Sequence, residues 1–217
     1  MKKEIVIKTK RLLLSPMSDG RMEQLIDSTE DASLKQAYTE MLDGSKADPE
    51  NRLWYTAWDI LLKSDGTFIG DLCFKGPQKN ASVEIGYGLS EAYWGNGYAT
   101  EAARALIQWA FSQENIYFVE AETEPDNAAS RRVLEKLGFQ PDGVGEEGPR
   151  FVLEKPETPW LPIYLCLGMS IGLTFGVSLG SLPLGLCFGA AFGLCLGTAM
   201  GSNEKKTRKS LREKRKK

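Results

Sequence analysis

Histidine is absent from all 217 residues. That absence excludes histidine-based catalytic triads and histidine-ligated metal centres. Cysteine is scarce: Cys73, Cys166, Cys187 and Cys195 form neither a close metal-ligand pair nor a disulfide framework. Three of them lie in one apolar stretch, where a free thiol behaves as a small hydrophobe. No metal is therefore expected. No long apolar run follows Met1-Lys2-Lys3-Glu4-Ile5, so no secretory signal is expected either.

The longest absence is of charge. Between Glu157 and Glu204 lie 46 residues without one charged side chain. A membrane span needs about 20 residues, so this stretch suits two transmembrane helices joined at Ser181-Leu182-Pro183. Glycine recurs at every fourth position in two runs, Gly168, Gly172, Gly176, Gly180 and then Gly185, Gly189, Gly193, Gly197, Gly201. Spacing of four places these glycines in a stripe on one helix face, where two backbones can approach closely in lipid. A homo-oligomer through the stripes is a further expectation. Glycine is a weak helix former, which leaves a soluble assembly or a surface-bound helix pair as the alternative.

Charge is unevenly placed elsewhere. From Ser202 to Lys217 nine basic residues face only Glu204 and Glu213, a net of +7, while the remainder carries a net of −9. An acidic body of that kind is not expected to bind nucleic acid. Two spans return the chain to its starting side, so the basic tail and the preceding domain are both expected on the cytoplasmic face, most simply of the plasma membrane. The tail could also hold anionic lipid headgroups.

The first 157 residues read as one mixed α/β domain, followed by the hairpin at 158–203 and the tail at 204–217. Strands are expected over Ile5–Leu14, Thr67–Phe74, Ser82–Leu89, Ile116–Glu122 and Phe151–Glu154. Helices are expected from a Ser18 or Asp19 cap to Ser28, from a Ser33 cap to Leu42, over Gly97–Ser112, and from Asn127 to Leu137. Ala102, Ala105, Leu106, Trp109 and Ala110 fall at helical spacing. Arg52–Lys63 is rich in aromatic and branched residues, and Pro77–Asn80 reads as a loop.

The stretch Ala92-Tyr93-Trp94-Gly95-Asn96-Gly97-Tyr98-Ala99-Thr100-Glu101-Ala102 turns a strand into a helix through two glycines. Glycines admit a ligand close to the backbone, and free N–H groups with the helix dipole make an anion site. A helix that merely begins with two glycines is the alternative.

With this loop the chain resembles the GNAT superfamily, in particular its ribosomal-protein-type N-acetyltransferases. The family's coenzyme A loop reads Gln/Arg-x-x-Gly-x-Gly/Ala; here Trp94 stands at its first position. Thr9-Lys10-Arg11-Leu12-Leu13-Leu14, Ile69-Gly70, Glu84-Ile85-Gly86-Tyr87, and Asn127-Ala128-Ala129-Ser130 through Lys136-Leu137-Gly138-Phe139 match in order. The resemblance covers about residues 5 to 155. It implies a splayed central sheet flanked by helices, with acetyl-CoA between the strands ending near Leu89 and Glu122. The resemblance further implies that the amides of Trp94, Gly95, Asn96, Gly97, Tyr98 and Ala99 cradle the pyrophosphate. A backbone N–H near Leu89 would polarise the thioester. Asn127 would lie near the pantetheine arm, and Ser130 would approach the leaving sulfur. Relatives commonly place a tyrosine acid one turn further on, where this chain has Leu134.

An amine must be neutral to attack a thioester, so a base is useful, and no histidine is present to supply it. The resemblance implies Glu84 as the first candidate, since the family often places a base, commonly acting through water, on this strand. Strand alternation sends Val83, Ile85 and Tyr87 to one face and Glu84 to the other. A solvated carboxylate on a half-buried strand is its other reading. Cys73 could carry an acyl group, Glu101 is expected to pair near its helix start, and Trp54, Tyr55, Trp58 and Asp59 could line an acceptor wall or belong to the core. The expected function is acetyl transfer from acetyl-CoA to a primary amine, of a protein N-terminus or a small molecule, at a membrane. A membrane-tethered acetyl-CoA sensor without turnover and a glycine-zipper assembly protein are the alternatives.

Overall fold

The computed structural model describes residues 5–76 and 79–215. Met1–Glu4, the first half of the expected Pro77–Asn80 loop, and Lys216–Lys217 lie outside them. The chain divides into two compact units, Met1–Lys155 and Pro156–Lys217.

The first unit is a mixed α/β fold. Its elements are β1 (Ile7–Lys8), β2 (Leu12–Pro16), α1 (Asp19–Ser28), α2 (Ala32–Ala47), β3 (Trp58–Leu62), β4 (Phe68–Phe74), β5 (Ser82–Leu89), α3 (Tyr98–Ser112), β6 (Phe118–Glu122), α4 (Ala128–Leu137), β7 (Gln140–Val144) and β8 (Pro149–Glu154). The eight strands form one sheet in the order β1-β2-β3-β4-β5-β6-β8-β7. All neighbours are antiparallel except β5 and β6, which run parallel with α3 as their crossover.

Three expectations need correction. The expected strand Ile5–Leu14 is a β1–β2 hairpin, because Thr9 turns the chain by bonding back to Leu12. The second helix is capped by the Asp31 carboxylate, which accepts the Leu34 N–H at 2.8 Å, and it runs on to Ala47. Strand β7 was not expected at all.

Helix α3 lays Ala102, Ala103, Leu106, Ile107 and Ala110 on the sheet against Leu14, Trp58, Ile60, Leu72, Phe74, Val83, Ile85 and Val119, all buried. Small alanines let the helix approach closely, and Trp109 fills the edge against Trp54 and Trp58, with ring centroids 4.9 and 5.2 Å away. Trp58 is therefore a core residue with no surface for an acceptor, and the half-buried Trp54 packs against the core. A second cluster of Met17, Met22, Tyr38, Leu42 and Ala57 joins α1 and α2 to the sheet.

Under α2 the Tyr38 hydroxyl donates to Asp71 Oδ1 at 2.9 Å. Burial pushes the Asp71 carboxyl up to about 6, against the opposing pull of that hydrogen bond. The folded state thus holds the proton more tightly than the unfolded chain. Its stabilising effect is full below about pH 4 and is lost as pH rises through 6, a change of at most about 3 kcal/mol. Asp71→Asn is expected to remove this slope and raise the melting temperature at pH 8, as followed by near-ultraviolet circular dichroism.

The second unit is an antiparallel hairpin of α5 (Trp160–Ser178) and α6 (Leu182–Arg215). Both helices are long and apolar enough to cross a membrane by length and composition. Helix α6 does not stop at the expected hairpin end but carries the basic tail as continuous helix to Arg215. Seven glycines of the two stripes are buried against the opposing helix: Gly168, Gly172 and Gly176 on α5, Gly185, Gly189, Gly193 and Gly197 on α6. The stripes face one another, which leaves them no surface for the expected oligomer. Gly180 lies in the turn and Gly201 faces open space.

Large apolar side chains point outward, among them Leu167, Phe175, Phe188 and Phe192. The hydroxyls of Ser170, Thr174, Ser178 and Thr198 donate to carbonyls four residues earlier, so each is satisfied within its helix. At the mouth, Glu204 accepts from Arg208 Nε at 2.9 Å and from the Trp160 indole N–H, while Arg208 Nη2 donates to the Pro156 carbonyl at 2.8 Å.

Candidate active site

Parallel pairing of β5 with β6 is brief: Ser82 to Phe118, Val83 to Val119, Glu84 to Glu120. Beyond that point β5 pairs only with β4, from Ile85↔Phe74 to Leu89↔Gly70, and β6 pairs only with β8. The two strands part, and a wedge opens in the middle of the sheet with Glu84 at its apex.

The glycine turn lies between β5 and α3. Gly95 and Gly97 have φ of +75° and +76°, a conformation that side chains with a Cβ resist. Trp94 Nε1 donates to the Leu89 carbonyl at 2.8 Å and so ties the turn back to the end of β5. Asn96 Nδ2 donates to the Trp94 carbonyl at 3.0 Å. Arg11 reaches across, donating from Nη1 to the Asn96 carbonyl at 3.0 Å and stacking its guanidinium 4.3 Å above the Tyr98 ring. The side chains of Trp94, Asn96 and Tyr98 thus build the turn. What they leave facing outward at α3 is its first-turn N–H groups, which have no partner within the helix.

Glu101 fixes this arrangement from below. Its carboxylate accepts from Arg11 Nε at 2.7 Å, from the Arg11 backbone at 2.8 Å and from the Thr9 hydroxyl at 2.6 Å. Burial would raise this carboxyl, yet the Thr9 and Arg11 hydrogen bonds hold it below the usual range. Glu101 belongs to the scaffold of the turn.

Glu84 is 27% exposed and its Oε1 lies 2.6 Å from Lys75 Nζ. Lys75 also meets Glu147 at 2.6 Å, and the Glu147 backbone N–H donates to Glu122 Oε2 at 2.9 Å. Burial raises the Glu84 carboxyl above its ordinary range, outweighing the ion pair with Lys75. Burial opposes the Lys75 charge, but Glu147 and Glu84 hold its ammonium above the usual value. Glu84 and Glu147 share the Lys75 ammonium, and Glu122 adds a further negative charge that also raises the Glu84 carboxyl.

On α4, Asn127 caps the helix: its Oδ1 accepts the Ser130 N–H at 2.9 Å. Ser130 Oγ in turn lies 2.9 Å from the hydroxyl of Tyr87 on β5. Leu134, one turn on, is fully buried in the core. Strand alternation puts Tyr87 on the face opposite Glu84, and only the fold brings it to Ser130. Leu89 ends β5 opposite Gly70 with its carbonyl taken by Trp94. Cys73 is half-buried on β4, and burial pushes its thiol up to about 12, which disfavours the thiolate that the acyl carrier considered above would need. Asp59 accepts from Arg21 Nε at 3.2 Å. Among the described residues no group of acidic or cysteine side chains could hold a metal ion.

A family model described as an acetyltransferase (GNAT) domain matches residues 11–140. The uncharacterized N-acetyltransferase YjdG of Bacillus subtilis (strain 168) is 38% identical over 86 residues, 39% of this chain and 51% of that protein. The chain thus spans about half the length of this curated relative. Among solved structures, a ribosomal-protein-S5-alanine acetyltransferase from Vibrio fischeri superposes with a TM-score of 0.57 at 15% identity, covering 72% of this chain and 99% of that one. The ribosomal L7/L12 α-N-protein acetyltransferase RimL in complex with coenzyme A superposes with a TM-score of 0.56 at 16% identity, covering 69% and 98%. At these identities the likeness is one of fold.

Proposed function

The chain belongs to the GNAT acetyltransferase family, and from that membership we propose that it transfers the acetyl group of acetyl-CoA to a primary amine while anchored to a membrane by α5 and α6. The observation that carries this reading is the wedge between β5 and β6 with the glycine turn at its rim. An anion at the turn would meet backbone N–H groups and the positive end of α3, which suits a pyrophosphate. RimL, of like fold, was solved with coenzyme A. In this reading residues 1–157 are the enzyme, 158–203 the anchor and 204–217 a basic helical end.

Glu84 takes the proton of the attacking amine, directly or through water, from the apex of the wedge. The surrounding Glu122 and Glu147 favour the approach of a cationic acceptor. Ser130 sits on the α4 side, where the leaving sulfur would emerge. Gly97→Val should strain the turn by about 1–2 kcal/mol and weaken coenzyme A binding roughly tenfold, measured by titration calorimetry.

For the membrane, the hairpin turns its glycines inward and its leucines and phenylalanines outward. That arrangement hides backbone and exposes hydrocarbon, as lipid requires. The basic residues of α6 beyond Gly201 then lie on the cytoplasmic side. The test uses the full chain in detergent micelles. Acetyl-CoA-dependent thiol release is followed against peptides with free N-termini and against small amines, together with carbonate extraction of membranes from expressing cells. Release with one acceptor class and retention in the extracted membrane support the reading. Tight acetyl-CoA binding with no release on any amine contradicts it.

A further inference from the structure

The Tyr87 hydroxyl on β5 and the Ser130 hydroxyl on α4 stand 2.9 Å apart, although 43 residues separate them in the chain, and the Tyr87 O–H also lies 3.3 Å from the Ser130 carbonyl oxygen. The contact matters because of where the two elements lie. Tyr87 follows the point at which β5 leaves β6, and α4 begins just past the end of β6. The pair therefore spans the opening of the wedge, on the face opposite Glu84. Asn127 pins Ser130 by capping its N–H, and Leu134 is turned into the core with no polar atom to offer. Tyr87 and Ser130 are the hydroxyls that bridge the two walls here.

We propose that Tyr87 is a positioning residue that donates to Ser130 Oγ and thereby aims the serine O–H at the departing sulfur of coenzyme A. This rests on the acetyltransferase reading. In the reaction the amine lone pair forms the C–N bond and the adduct collapses with cleavage of the C–S bond. That electron pair stays on sulfur as a thiolate. The nitrogen proton goes to the Glu84 side. Ser130 donates a hydrogen bond to the thiolate, which takes its proton from solvent on release. A serine alone could turn its single O–H in several directions. A Tyr87 O–H given to Oγ at 2.9 Å, in preference to the Ser130 carbonyl at 3.3 Å, occupies one lone pair of Oγ and frees the serine O–H for the wedge, and a hydroxyl that accepts a hydrogen bond is a stronger donor. Burial holds the Tyr87 phenol above its ordinary range, so it keeps its proton at neutral pH.

The test needs no acceptor amine. Full-length protein in detergent is saturated with coenzyme A, and thiolate absorbance is followed with pH for wild type, Tyr87→Phe, Ser130→Ala and the double variant. A hydrogen bond to the thiolate lowers the pKa of the bound thiol below that of free coenzyme A. Tyr87→Phe is expected to raise it by about half a pH unit, roughly threefold less thiolate at a fixed pH below it. Ser130→Ala should raise it further, and the double variant should match Ser130→Ala alone. Substituting 3-fluorotyrosine at position 87, a more acidic donor of nearly the same shape, should lower it. A thiol pKa that ignores both changes at position 87 overturns the proposal. Failure of the wild type to bind coenzyme A overturns the acetyltransferase reading itself and this inference with it.

Discussion

Glu84→Gln is expected to lower kcat for acetyl transfer by about 10²–10⁴-fold and to leave acetyl-CoA affinity within about twofold. Three observations set that expectation. Glu84 is the last residue of β5 paired to β6, so its carboxylate stands at the apex of the wedge. Burial has raised its carboxyl, which brings it closer to the working pH of a base. Glutamine keeps the shape and the reach to Lys75 while losing the basicity. The sign of the pH effect follows. A protonated carboxyl cannot take the amine's proton, so wild-type kcat should rise with pH through the raised Glu84 value, and the variant should lose that limb. If Glu84 served only to pair Lys75, then Glu84→Gln and Lys75→Met would both lower stability and neither would change kcat.

Gly172→Leu should open the helical hairpin. A Cβ at this position would lie 2.3 Å from the Gly185 carbonyl oxygen and 2.8 Å from the Gly189 Cα, both backbone atoms that no rotamer change can move. The helices must separate, at a cost on the order of 1–3 kcal/mol or more, and the loss spreads along the seam because Gly168 and Gly176 pack the same way. Gly201→Leu is the control, since nothing lies within 4 Å of a Cβ there. Spin labels on the outward-facing positions Leu167 and Leu194, with the native cysteines replaced by serine, report the separation by pulsed electron resonance. A longer and broader distance distribution is expected for Gly172→Leu and an unchanged one for Gly201→Leu. Equal effects would mean that the glycine seam does not hold the hairpin.

The parts of the fold that were legible in the sequence are those written in local chemistry. Alanines and aromatics at helical spacing gave α3 to within a residue, and Ser82–Leu89 is β5 end to end. Ser18 caps α1 through the Arg21 N–H, as a serine before an apolar-periodic run should. What stayed hidden depends on distant partners. The turn dividing β1 from β2 carries no glycine or proline; it is held by Glu101, some ninety residues on. Strand β7 contains Pro141 and Gly143, reads as turn, and exists because β8 offers an edge. The basic tail was legible as charge but not as helix, which the Glu204–Arg208 pair one turn apart supports.

The candidate site divides in the same way. The glycine turn is local, and its two positive-φ glycines were visible as sequence. The Lys75–Glu147 contact that surrounds Glu84, and the Tyr87–Ser130 contact across the wedge, join segments that only the sheet topology brings together. Glycine stripes announced close helix packing, but not whether the partner was a second copy or the next helix of the same chain. A turn of Leu179, Gly180 and Ser181, too short for any other topology, decides for the latter.

The wedge as an acetyl-CoA site is the central claim, and amide hydrogen exchange of the full chain with and without acetyl-CoA tests it most directly. Slowed exchange concentrated in Gly95–Thr100, the second half of β5 and the first turn of α4, with α1, α2 and the hairpin unchanged, is the predicted result. Unaltered exchange in the glycine turn at saturating acetyl-CoA, or protection confined to some other surface, would contradict it.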